Sequence, residues 1–210
     1  MTKTVQLLRK KASDGNAVAQ YELAHLLASG SDAAKYRREC RDLLRRASAK
    51  GNALAQYALG TWYAHGIGVR KNYKAAYSCF ERAAKKGHRE AQYDLAVSLE
   101  RGKGVSRDLK QAFKWYRTAA VRGDADAAAA LGRCYFYGIG VRRDYKNAVR
   151  WYRKAARAGN SDARYGLGFC YERGLGVRSS KERATYWYRK SGQALDTQFP
   201  DSSLEIAKRG

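Results

Sequence analysis

The 210-residue chain has one proline, one methionine and no run of about 18 apolar residues. A bilayer-spanning helix needs such a run, so we predict no transmembrane segment. Since proline interrupts helices, its scarcity favours a chain that is helical over most of its length. The N-terminal residues also lack the apolar core and cleavage site of a signal peptide. We therefore expect a cytoplasmic location, whereas a leader removed before Met1 would instead indicate the periplasm.

Acidic residues are scarce relative to basic ones. The chain has 19 aspartates and glutamates against 42 lysines and arginines, which gives a formal net charge of +23. A charge of this sign and size favours an acidic protein, nucleic acid or an anionic surface as partner. The alternative is a basic scaffold whose side chains are only solvated, and composition does not choose between the two.

Glycine recurs at a fixed interval of 36 residues. A first series is Gly15, Gly51, Gly87, Gly123 and Gly159, and a second is Gly30, Gly66, Gly102, Gly138 and Gly174. A constant period of this length is typical of repeat arrays, whose units bury their apolar faces by stacking. The sequence predicts an all-α solenoid of five helix-turn-helix units, at residues 15–50, 51–86, 87–122, 123–158 and 159–194. We expect residues 1–14 to form an N-terminal capping helix and 195–210 a C-terminal tail or capping helix.

The fourth unit, residues 123–158, shows how one repeat is built. Asp124 and Asp144 each precede an apolar run, as helix N-caps do. Gly138 ends the first helix, because glycine accepts the left-handed conformation, and Gly132 leaves room for a neighbouring helix. The second helices carry aromatic pairs, of which we predict the tryptophans to be the buried wedges: Trp115, Trp151 and Trp187.

The unit pattern is Ala-x-x-x-Leu-Gly-x-x-Tyr-x-x-Gly-x-Gly-Val-x-x-Asp-x-x-Lys-Ala-x-x-Trp-Tyr-x-x-Ala-Ala-x-x-Gly. It resembles the Sel-one-like repeats, relatives of the tetratricopeptide repeats, over residues 15–194. The resemblance implies an adaptor that assembles other proteins, in bacteria often in secretion, envelope, virulence or effector–immunity settings. A cysteine-rich branch of that family carries one disulfide per repeat and is linked to penicillin binding. The cysteines here do not recur once per repeat in pairs, so that activity is not carried over.

The residues that could support catalysis or metal binding do not cluster. The cysteines form no Cys-x-x-Cys pair, and His25, His65 and His88 occupy three different positions of the repeat. Cys134 and Cys170 would lie on stacked helices about 8–10 Å apart, beyond the roughly 7 Å between Cα atoms that a disulfide allows. We expect buried thiols, no metal, no cofactor and no enzymatic activity.

The first helices are predicted to supply the binding surface. In tetratricopeptide arrays the first helices line the concave face, and tyrosine and arginine are common anchors of interfaces. We expect Arg101, Tyr137 and Arg173 to form a line along this groove, although packing accounts for part of the tyrosine series. The predicted partner-binding set is Tyr57, Thr61, His65, Tyr93, Arg101, Arg133, Tyr137, Tyr165, Phe169 and Arg173.

A separate set of basic residues follows the turns and forms a candidate ridge: Arg70, Lys71, Arg107, Arg142, Arg143 and Arg178. Our first hypothesis is a non-catalytic adaptor that binds an acidic protein through the concave face, with a bacterial immunity or regulatory protein for an effector as its specific form. The alternative is binding of nucleic acid or an anionic surface by this ridge and by a second basic ridge on the second helices, which is otherwise an ordinary solvated face: Arg82, Arg117, Arg153, Lys154, Arg189 and Lys190. A monomer is expected, with end-to-end pairing of arrays left open.

Overall fold

The computed structural model describes residues 3–30 and 32–192, and the predicted tail at 195–210 lies outside them. The described residues form eleven α-helices and no strands, which confirms the predicted all-α class. None of these helices is long and apolar enough to cross a membrane. The helices are α1 Lys3–Ser13, α2 Ala17–Ser29, α3 Ala33–Ala49, α4 Ala53–His65, α5 Tyr73–Lys85, α6 Arg89–Arg101, α7 Leu109–Val121, α8 Ala125–Tyr137, α9 Tyr145–Arg157, α10 Ser161–Arg173 and α11 Lys181–Ser191.

The chain divides into two compact units, with α1–α6 in unit 1 and α7–α11 in unit 2. We call α2, α4, α6, α8 and α10 the first helices, and α1, α3, α5, α7, α9 and α11 the second helices. Within a unit, each first helix packs most extensively on the second helix that follows it, and each second helix also packs on the next first helix. Each unit is thus a stack of helical hairpins.

Polar caps fix where the helices begin. The side chain of Asp124 accepts a hydrogen bond of 2.8 Å from the Ala127 amide, and Asp144 caps α9 through a 3.0 Å bond from the Asn147 amide. Both caps were predicted, and equivalent polar residues begin the other repeats, since an N-cap oxygen satisfies an amide that has no partner within the helix. The amide of Asn147 is also the main reason that the pKa of Asp144 is lowered.

A Gly-x-Gly turn ends each of the first helices α4, α6, α8 and α10. Gly138 closes α8 in the left-handed conformation, with φ of 77°. Gly140 has φ of 68°, and a side chain there would collide with the backbone carbonyl of Leu109. Glycine is therefore needed at this position for two reasons: its positive φ and the close approach of the turn to α7.

The aromatic wedges between helices are tyrosine and phenylalanine, so the prediction for the tryptophans was wrong. Tyr116 is 1% exposed and Tyr152 4% exposed, whereas Trp115 and Trp151 are only half-buried. Tyr188 is the equivalent buried residue of α11. The apolar stripe of α9 explains the difference: the buried residues Val149 and Ala156 lie three and four positions from Tyr152 but two and five from Trp151. Helical spacing thus centres the stripe on the tyrosine.

Buried polar side chains complete the C-terminal ends of the second helices. Gln20, Gln56 and Gln92 are almost fully buried, and each donates its Nε2 to a backbone carbonyl eight residues earlier. Arg164 takes the same position in the last repeat and bonds the carbonyl of Ala156. Lys154 donates to the carbonyl of Ala120 at 2.9 Å. Part of the basic excess therefore satisfies helix ends that would otherwise lack partners.

The four cysteines, Cys40, Cys79, Cys134 and Cys170, are all buried thiols. Burial disfavours the charged thiolate and raises the pKa of Cys170 to about 12. Within residues 3–30 and 32–192, no cluster of histidine, cysteine and acidic residues could hold a metal ion.

Candidate functional site

Three of the predicted site residues lie along α4 in unit 1, spaced by four residues and so on one face of the helix. The Thr61 hydroxyl donates to the carbonyl of Tyr57 at 3.2 Å, and Nδ1 of His65 lies 3.0 Å from the carbonyl of Thr61. The Tyr57 ring stacks on His88 with 4.4 Å between centroids. Burial, followed by the nearby Asp94 carboxylate, raises the pKa of Tyr57. Tyr57 therefore packs within unit 1, while the His65 side chain is exposed.

The α6 helix carries the other two predicted residues of unit 1. Tyr93 is half-buried, and Arg101 is exposed in the last turn of the helix. They are eight residues apart and so lie on one face, about 12 Å apart along the axis at the rise of an α-helix. This face also contains carboxylates, since α6 carries Glu90, Asp94 and Glu100 beside its two arginines.

Unit 2 brings two of its predicted aromatic residues, Tyr137 and Phe169, into one cluster. Phe136 links them, because its ring centroid lies 4.8 Å from that of Tyr137 and 5.9 Å from that of Phe169. The Arg173 guanidinium is 5.9 Å from the Phe169 ring centroid and keeps 66% of its side-chain surface exposed. The cluster thus has an apolar centre with an exposed cation at its edge.

The two remaining predicted residues of unit 2 are Tyr165 and Arg133. The Tyr165 ring packs 5.1 Å from that of Tyr188, so it serves the packing of α10 on α11. Arg133 is half-buried on α8, four residues before Tyr137. We call the predicted partner-binding residues, taken within each unit, the first-helix face.

The basic residues of the predicted turn ridge do not share one role. Arg70, Arg142 and Arg178 are exposed at equivalent turn positions. Arg107, by contrast, donates its Nε to the carbonyl of Glu100 at 3.1 Å and thereby closes its own turn.

One turn of unit 2 forms a concave site. The cleft has a volume of about 650 Å³. The Arg143 guanidinium lies 5.4 Å from the centroid of the Tyr145 ring, within the range of a cation–π contact. We call this site the turn cleft; its lining residues are Tyr135, Val141, Arg142, Arg143, Asp144, Tyr145, Lys146 and Gly176.

Charge is divided unequally between the two series of helices. The second helices in the described part of the chain hold twenty-five lysines and arginines and four acidic residues. The first helices hold five basic and seven acidic residues. The basic excess therefore belongs to the second helices and turns, while the first helices as a whole hold slightly more acidic than basic residues.

The α9 helix, which has the largest net positive charge of the second helices, carries residues that were not among the predicted site residues. Lys146, Arg150 and Arg157 are exposed and spaced by four and seven residues, which places them along one side of the helix. The same spacing is visible in the sequence and could have indicated a row of basic residues on this helix. Two further basic residues of α9 make hydrogen bonds to other helices. Lys154 donates to the Ala120 carbonyl, and Arg153 donates to the Tyr171 hydroxyl at 2.8 Å.

A family model described as Sel1 repeat matches residues 17–52, 53–88, 89–124, 125–160 and 161–194. Among solved structures, c5321, a protective antigen present in uropathogenic Escherichia coli strains, is 39% identical with a TM-score of 0.86; the match covers 90% of this chain and 40% of that chain. A Sel1 repeat protein from Oxalobacter formigenes is 29% identical with a TM-score of 0.80, covering 94% of this chain and 89% of that chain. The immunity protein PA5088 from Pseudomonas aeruginosa shares the fold at 21% identity and a TM-score of 0.53, with coverage of 98% and 78%. No curated protein matches the chain.

Proposed function

Because the chain belongs to the Sel1 repeat family, we propose that it is a non-catalytic scaffold that binds a protein partner through the first-helix face. The observation that carries the proposal is the aromatic cluster of unit 2, where Tyr137 and Phe169 are half-buried and Arg173 is exposed beside them. Interfaces draw most of their binding energy from a few residues, often tryptophan, tyrosine or arginine, that cluster near the centre of the interface. This part of the first-helix face has that composition.

The proposed partner presents carboxylates next to an apolar segment. Arginine binds carboxylates through two parallel hydrogen bonds, and the first-helix face contains Arg101 in unit 1 and Arg133 and Arg173 in unit 2. The first helices as a whole are nearly neutral, so the partner needs acidic residues only where it meets these arginines. Arg173 has one acidic neighbour, since its Nε lies 4.0 Å from the Glu172 carboxylate, the outer limit of an ion pair.

The specific form of the proposal is a protein that blocks or regulates an effector. Immunity proteins from Pseudomonas aeruginosa share the fold, at 21% identity for PA5088 and 23% for Pa5087. Identity of this order supports the fold alone. This specific form therefore rests on the family resemblance and on the site composition, and a toxin-like gene beside the gene for this chain would support it.

Site-specific photo-crosslinking in cells that naturally contain the chain tests the proposal. A photoreactive phenylalanine derivative replaces Tyr137 or Phe169 on first helices, so that the proposed arginine anchors stay in place, and in matched controls Trp115 or Trp187 on second helices. All four positions are half-buried, so differences in accessibility do not decide the result. We expect one discrete protein adduct from the first-helix positions and none from the controls. Adducts only from Trp115 or Trp187 would refute the proposed site.

A further inference from the structure

We propose that α9 and the turn cleft of unit 2 form a second, separate binding surface, which takes the phosphate backbone of nucleic acid without sequence preference. Lys146 belongs to both parts, because it lines the cleft with Arg142 and Arg143 and also begins the row of cations on α9. From Lys146 to Arg157 the row extends about 16 Å at the helical rise of 1.5 Å per residue. The cleft and the row are thus one continuous cationic track.

The charges of this track have few acidic neighbours. Neither α7 nor α9 contains an acidic residue, so ion pairs within these helices cannot neutralise the track. Asp144 is the one carboxylate that lines the cleft, and it accepts hydrogen bonds from the backbone amide and the side chain of Asn147. The α7 helix adds exposed Lys110 and Lys114 at positions equivalent to those of Lys146 and Arg150.

The composition of the α9 part of the track favours nucleic acid over an acidic protein. Protein interfaces are depleted of lysine and need a desolvated centre with aromatic anchors. Here the exposed side chains of α9 are lysines and arginines, and its Trp151 ring is half-buried with the Lys154 ammonium 5.2 Å from its centroid. A phosphate backbone requires only cations at suitable intervals. At about 3.4 Å per nucleotide along a strand, the 16 Å row is long enough for roughly five phosphates.

The test compares two triple variants of the full chain that remove the same charge. K146Q/R150Q/R157Q alters the track, where all three side chains are exposed and Lys146 also acts electrostatically on the nearby Asp144 carboxylate. The control, R89Q/R101Q/R173Q, removes three exposed arginines from first helices. Binding to a 20-base-pair duplex of random sequence is titrated at several salt concentrations, and the thermal midpoint of each variant is measured as a check on folding.

We expect the wild-type affinity for the duplex to fall steeply with salt and to be independent of sequence. Each phosphate contact contributes about −0.9 to the slope of log affinity against log salt concentration, so the track variant should reduce that slope by about three. The control variant should reduce it by less than about one. These readings do not depend on the proposed protein partner, whose adducts the track variant should leave intact.

Three outcomes would overturn the inference. An equal loss of affinity in both triple variants would assign binding to net charge rather than to the track. Absence of duplex binding at low salt would exclude nucleic acid as the ligand of this surface. Tighter binding of polyglutamate than of the duplex at the same salt concentration would make an acidic protein the ligand of this surface.

Discussion

The ring of Tyr152 occupies the space that Gly132 leaves open: a Cβ at Gly132 would lie 2.6 Å from Cδ1 of that ring. On the other side, a Cβ at Gly166 would lie 3.1 Å from the same ring. The tyrosine of α9 is therefore held between the first helices α8 and α10 by two residues without side chains. The Tyr152 ring thus packs both within its own hairpin, against α8, and on the next repeat, against α10.

We predict that Tyr152→Ala lowers the free energy of unfolding by about 3–5 kcal/mol, the range for truncating a buried large aromatic residue. Trp151→Ala, its neighbour, should cost clearly less, because the Trp151 ring is only half-buried. Urea denaturation followed by circular dichroism measures both variants. Equal losses would contradict the assignment of Tyr152 as the wedge.

Gly132→Ala should destabilise the chain by about 1–3 kcal/mol, since the added methyl group overpacks the contact with Tyr152. Gly30→Ala is the matched control: its φ is −81°, and its added Cβ would meet nothing closer than 3.8 Å. We expect the control to change the free energy of unfolding by no more than about 0.5 kcal/mol. An unchanged free energy of unfolding for Gly132→Ala would show that the contact with Tyr152 can accommodate a methyl group.

His88 should make the stability of the chain depend on pH. Burial disfavours the charged ring and lowers the pKa of His88 below its ordinary value of 6.5, with the Glu90 carboxylate opposing the shift. The unfolded chain then binds the proton more readily, so this contribution to stability is complete above pH 6.5 and is lost as the pH falls through the folded-state pKa.

His88→Asn should remove that dependence, because asparagine caps the equivalent helices at Asn16, Asn52 and Asn160. Urea midpoints at pH 7.5 and pH 5 give the comparison. We expect the wild type to lose more stability than the variant on acidification, with His65→Asn at an exposed histidine as control. A variant as sensitive to acid as the wild type would contradict the buried role of His88.

The buried thiols should react slowly while the chain is folded. The thiolate is the reactive form, and burial raises the pKa of Cys170 to about 12. Protein purified without reductant should therefore show four titratable thiols after denaturation and far slower labelling before it. Fewer than four thiols after denaturation would indicate a disulfide and an oxidising compartment.

The repeat made the fold predictable, whereas side-chain choice within a repeat was less so. The 36-residue period fixed the caps at Asp124 and Asp144 and the turn at Gly138, because each needs a particular residue type. It did not decide between Trp151 and Tyr152, since two adjacent aromatic residues both lie within reach of the apolar stripe. The burial of Val149 and Ala156 settles which of the two side chains faces the core.

The candidate site was less accessible to sequence reasoning. The net charge and the recurrence of basic residues on turns and second helices could be read from the repeat, but the structural partners of these side chains could not. Arg153 and Lys154 look like part of a solvated ridge in the sequence, yet they bond Tyr171, 18 residues later, and Ala120, 34 residues earlier. Their partners could not be inferred without the stacking of the helices.

Calorimetric titration of the crosslinked partner, once purified, against wild type, Arg173→Glu and Arg150→Glu shows which surface of the chain binds it. Charge reversal at Arg173 should weaken binding by more than about 2 kcal/mol, the range of interface hot spots, with an unchanged melting temperature. Arg150→Glu, an equal charge change on a second helix, should leave that affinity nearly unaltered at physiological salt. A large loss for Arg150→Glu with none for Arg173→Glu would contradict the account and place the partner on the second helices.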